Sequence, residues 1–136
     1  MDSDQKKYEL AWESFKFYNK QLFNKEDEHI KIVEEIQDFF KENNFPSKKQ
    51  KQSLKRKYRK SSTTLISLYS KLLQEMNILI QIQQNESLDL EMKINEDDPL
   101  SVDIMMMEEL SKVTTVLREE MKIEQEQFLE IFNYEE

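Results

Sequence analysis

The chain contains no glycine and two prolines in 136 residues. Hairpins and tight sheet turns lean on glycine for backbone conformations that other residues resist. Its absence therefore argues for helices. The chain also lacks cysteine, which removes disulfides, thiolate metal sites and a cysteine nucleophile, and fits a reducing compartment. Without glycine there is no Gly-rich phosphate loop. His29 is the one histidine, so no second imidazole is present for a metal site or a catalytic dyad. A surface or helix-cap role is expected for it. No stretch reaches the roughly 18 apolar residues of a membrane span, and the opening MDSDQKKYEL lacks the apolar core of a secretion signal. The expectation is a soluble, intracellular chain forming one domain with helical extensions.

Hydrophobic residues make up 38% and charged residues 35% of the chain, with eight Phe, five Tyr and one Trp. That suffices for a modest core. The net charge of −8 is unevenly spread. Residues 1–85 hold 16 basic and 12 acidic groups, and residues 86–136 hold 4 and 16. The acidity belongs to the C-terminal third.

Apolar spacing predicts the elements. Asp2, Ser3 and Asp4 offer N-caps for a first helix whose stripe is Tyr8, Ala11, Trp12, Phe15, Tyr18 and Leu22. Asn24–Asp27 reads as a break. A second helix, 27–44, carries Ile30, Val33, Ile36, Phe39 and Phe40, and ends before Pro46. Ser47 caps a third helix, 48–58, with Leu54 and Tyr58 as its apolar positions. Ser61, Ser62 and Thr63 start a fourth, 61–83, with Leu65, Leu68, Tyr69, Leu72, Leu73, Met76 and Leu79. An acidic linker follows, and then a long helix with the near-heptad stripe Ile104, Met107, Leu110, Val113, Leu117, Met121, Phe128 and Ile131. The expected divisions are an N-terminal amphipathic helix at 1–26, a helical core at 27–84, a linker at 85–100 and a C-terminal helix at 101–136.

One stretch resists the overall acidity. Lys48, Lys49, Lys51, Lys55, Arg56, Lys57, Arg59 and Lys60 follow one another with no acid between them. Positives this dense repel one another and call for an anionic partner. A nucleic-acid backbone would give salt-dependent, sequence-independent affinity. The alternatives are a solvated face, or pairing with the acidic last helix around Glu108, Glu109, Glu119, Glu120, Glu124 and Glu126.

Residues 27–79 resemble a homeodomain. Ile36 and Phe40 match its first-helix core, Phe45-Pro46-Ser47 the turn, Leu54 the second-helix core, and Leu65, Leu68 and Tyr69 the recognition helix. The chain departs from that family at telling places. Leu68 stands where the family carries its core Trp, Lys71 where it carries the adenine-reading Asn, and Leu72 and Leu73 where it binds phosphate through Arg. Bidentate adenine readout needs an amide, which Lys cannot supply. The resemblance implies an all-α fold, a homeodomain-like three-helix core with an added N-terminal helix and a long C-terminal helix.

With its small size, acidity and helical tails, the chain also resembles the homeobox-like accessory subunits of the ciliate DNA N6-adenine methyltransferase complex. That resemblance implies a nuclear, non-catalytic subunit that binds no S-adenosylmethionine and needs no cofactor. Its implied partners are a methyltransferase heterodimer and a second homeobox-like protein. DNA contact would fall to the eight basic residues and Lys71. Partner contact would fall to Trp12, Phe15, Leu72, Met76, Leu110, Val113, Leu117 and Phe128.

Other signals carry less. Met105-Met106-Met107 reads as core filler or an adaptable docking surface. Glu108-Glu109 and Glu119-Glu120 diverge on a helix and do not form a two-carboxylate active site. Glu96-Asp97-Asp98 lacks the glycine and alternation of a calcium loop. An assembly or coiled-coil protein without nucleic-acid contact is the alternative function. An enzyme is the least favoured class.

Overall fold

The computed structural model describes residues 2–42, 47–85 and 104–134. They form three long helices: α1 (Asp2–Glu42), α2 (Lys48–Asn85) and α3 (Ile104–Tyr134). At 1.5 Å per residue, α1 is about 60 Å long. The all-α expectation holds, and among the described residues there is no strand. No helix there is long and apolar enough to cross a membrane.

Ser47 caps α2 as its sequence predicts. Its hydroxyl accepts from the Gln50 backbone N–H at 3.1 Å, and its own N–H donates to Gln50 Oε1 at 3.2 Å. This is a capping box with glutamine at the third helical position. The rest of the expected turn, Phe45-Pro46, and the acidic linker lie outside the described residues.

Two expected breaks are absent. α1 runs unbroken through Asn24–Asp27, where Lys25–Glu28 and Asp27–Lys31 form ion pairs one turn apart. Asp27 therefore supports a helix interior rather than a break, and the division at 26/27 falls inside one helix. α2 likewise runs through Ser61–Thr63. Ser62 Oγ donates back to the Tyr58 carbonyl at 2.9 Å, and Thr64 Oγ1 to that of Lys60 at 2.8 Å. Hydroxyls that satisfy themselves on the preceding turn no longer compete to end the helix. The second and third helices of the homeodomain reading are thus one helix with no turn between them.

Cross-contacts give the topology. Glu35–Lys57 and Glu26–Tyr69 run α1 antiparallel to α2, while Tyr58–Glu124 and Gln84–Glu108 run α2 antiparallel to α3. The core follows a seven-residue repeat. Tyr8, Phe15, Leu22, His29 and Ile36 are buried on α1, and Tyr58, Leu65, Leu72 and Leu79 on α2. A large apolar cluster joins Tyr8–Leu22 to Leu65–Leu79 and Met107. A smaller one joins Ile36, Tyr58 and Phe132, with Phe40, Leu54 and Phe128 packed against it. Each large side chain so buried contributes roughly 1.5–3 kcal/mol.

α2 is the central element. Among the described residues, no Cα of α1 comes within 8 Å of a Cα of α3. Long side chains bridge that gap, including Phe40 to Phe132 with ring centroids 5.5 Å apart.

Candidate functional site

The basic residues share the first turns of α2, and all are exposed or half-buried. Gln52, Lys55, Arg56 and Arg59 line a shallow groove of about 280 Å3. Their spacing of three, one and three puts them on one flank of the helix. Lys57 points elsewhere and pairs with Glu35 of α1 at 2.8 Å. The acidic partner shown for it is therefore on α1, not on the acidic last helix. On α3, Glu109 holds Lys112, Glu119 holds Arg118 and Lys122, and Glu124 holds His29. The hydrogen bond from Lys122, with help from Arg118, keeps the Glu119 carboxyl below its ordinary range. Lys71 is not part of the basic face. It lies about 16 Å further along the helix than Lys60, and its Nζ sits 5.5 Å from the centre of the Tyr18 ring.

The apolar candidates divide. Trp12, Phe15, Leu72 and Met76 are buried together in the large cluster, so they hold the fold and present no surface to a partner. Trp12 stacks on Phe15 at 5.4 Å, and its indole N–H has no acceptor among the described residues. Phe128 stacks on Tyr58 at 4.3 Å within the chain. By contrast Leu110, Val113 and Leu117 are 42%, 53% and 39% exposed. The sequence stripe had merged two faces of α3. Met107, Thr114, Met121 and Phe128 turn to the core, while Leu110, Leu117 and Ile131 lie on the flank beside it.

The residue that sequence reasoning misplaced is His29. It is buried between all three helices, neither at the surface nor at a helix end. Its Nε2 donates to Glu124 Oε2 at 3.0 Å, and its Nδ1 lies 2.8 Å from Ser61 Oγ. The same Glu124 oxygen accepts from the Tyr58 hydroxyl at 2.8 Å. Burial first, then this hydrogen bond and the carboxylate charge, push the Tyr58 hydroxyl far above the usual tyrosine range. Gln125 extends the node to Ser62 and Thr63 at 2.8 and 3.0 Å. The signal was available, because position 29 falls in the same seven-residue series as Tyr8, Phe15, Leu22 and Ile36.

Ser61, His29 and Glu124 have the composition of a Ser–His–acid triad. Acyl transfer also needs backbone or side-chain donors aimed at an oxyanion, and the neighbouring Gln125 amide is already engaged by Ser62 and Thr63. Ser61 lies in mid-helix, where backbone N–H groups are taken by carbonyls four residues back. The node is a polar clasp within the bundle. Among the described residues no cluster of His, Cys, Asp or Glu could hold a metal ion.

The sequence matches no described protein family, no curated protein and no solved structure.

Proposed function

We propose that this chain is a non-catalytic assembly subunit that grips an anionic nucleic-acid backbone with the start of α2 and joins partner proteins through the exposed flank of α3. The observation that carries the reading is the groove lined by half-buried Lys55 and exposed Arg56 and Arg59, a cationic face in a chain of net charge −8. Phosphate contacts of this kind position a protein without reading sequence. The more specific setting is an accessory subunit of a nuclear DNA N6-adenine methyltransferase complex. It rests on the sequence resemblance alone. The continuous α2 withdraws the helix-turn-helix part of that support and leaves the basic face.

The test is a fluorescence-anisotropy titration of the full chain with a labelled DNA duplex at two salt concentrations. Binding should weaken as salt rises. Converting Lys55, Arg56 and Arg59 to Glu should abolish the salt-sensitive part while helical content stays unchanged. Absence of binding by the wild-type chain, or a salt slope unaltered in the triple variant, would refute the nucleic-acid reading. The alternative, a purely structural helical assembly protein, would then stand.

A further inference from the structure

We propose that the side of the bundle between α1 and α3 seats a fourth, amphipathic helix from a partner protein, with lysine or arginine flanking its apolar seam. This rests on the assembly reading above and names the partner's chemistry.

The first observation is an open, apolar-walled side. Glu124 reaches across to His29, so its flank of α3 is the one turned to α1. Leu117 and Leu110 lie one and two heptads earlier on that flank and are only partly covered there, and Val113 sits between them. On α1, Phe40 touches Phe132 of α3, which makes the line 26–33–40 the α3-facing one. Phe23 and Ile30 stand beside that line, 75% and 56% exposed. Met106, Leu110, Val113 and Leu117 are spaced four, three and four, which is the seam another helix fills by knobs-into-holes packing.

The second observation is charge. Three carboxylates from two helices converge here: Glu26 on α1, Glu120 and Glu124 on α3. Glu26 accepts from the Tyr69 hydroxyl at 3.0 Å, and the charges of Glu124 and Glu120 also bear on that hydroxyl. Among the described residues none of the three has a lysine or arginine within 4.0 Å. An apolar seam bordered by carboxylates that no lysine or arginine of the described chain neutralises selects a helix bordered by cations and rejects an acidic one. A second copy of this chain fits less well. Its exposed flank on α3 carries the same carboxylates, and like charges would meet.

The probe is a labelled synthetic peptide of about three heptads, with leucine on the seam and lysine on both flanks. A twin carries glutamate in place of lysine. Both are titrated into the full-length chain by fluorescence anisotropy. The lysine peptide should bind saturably, about tenfold or more tighter than its twin. Val113→Ser and Phe23→Ser change exposed positions, so circular dichroism should stay unchanged while the lysine peptide weakens several-fold. Glu120→Lys should weaken it too. Equal binding of the twins, or unchanged affinity in both serine variants, would overturn the proposal. So would a wild-type dimer in sedimentation that Val113→Ser dissolves, because a second copy would then be the occupant. The Lys55, Arg56 and Arg59 to Glu variant should keep its peptide affinity, which separates this test from the DNA test. If native partners require Val113 but the lysine peptide does not bind, assembly survives and the cationic helix is wrong.

Discussion

His29 and Glu124 stabilise the bundle as a pair more than as individuals. Glu124→Leu leaves the buried imidazole N–H and the Tyr58 hydroxyl without their shared acceptor. An orphaned buried polar group costs about 1–3 kcal/mol. Replacing both His29 and Glu124 with apolar groups removes the imidazole orphan along with its bond, while the Tyr58 hydroxyl lacks its acceptor equally in the single and the double variant. Glu124→Leu alone should therefore lower the urea midpoint more than His29→Leu and Glu124→Leu together. A double variant as weak as the sum of the singles would contradict this.

The tyrosines carry a pH dependence. Burial and their carboxylate partners hold the Tyr58 and Tyr69 hydroxyls protonated beyond the usual range. In the unfolded chain they ionise near pH 10. Above about pH 10 the unfolded state thus holds fewer protons than the folded state, and stability falls as pH rises. Below that pH their contribution is fully present. Urea unfolding at a series of alkaline pH values should show this fall, and the combined change of Tyr58 and Tyr69 to Phe should flatten it. At this scale the aromatic and aliphatic core was legible from spacing. His29 was not, because a lone imidazole was weighed by type when its heptad position decided its burial.

At the scale of elements, α2 is the informative case. Its residues 58–64 mix basic groups with four consecutive hydroxyls, Ser61 to Thr64, a composition that suits a helix start as well as a helix interior. Sequence alone weighs the cap motif. The structure spends those hydroxyls on carbonyls of the preceding turn and on His29 and Gln125. Continuity makes a clear prediction for Lys60, which is exposed in mid-helix. Lys60→Pro removes a backbone hydrogen bond and sets the ring against the preceding turn, at a cost of about 3 kcal/mol or more. Circular dichroism and urea unfolding should register that loss. An undiminished midpoint would mean a turn at 58–61. On α3 the stripe was read correctly as amphipathic but too wide. A period of 3.6 and one of 3.5 diverge over nine turns, so core and flank residues were counted as one face.

At the scale of the whole molecule, the three described helices, running up, down and up, can be arranged in two ways. The third helix can lie on either side of the hairpin made by the first two. Apolar seams alone choose weakly between these mirror-related arrangements, because leucine packs about as well against one flank as the other. The polar node does not share that indifference. His29 presents Nδ1 to Ser61 on α2 and Nε2 outward, and Glu124 meets the outward nitrogen and the Tyr58 hydroxyl at one oxygen. With α3 on the opposite side, the imidazole and the phenol would both lose that acceptor. The handedness of the bundle thus draws on one histidine and one glutamate, 95 residues apart in the chain.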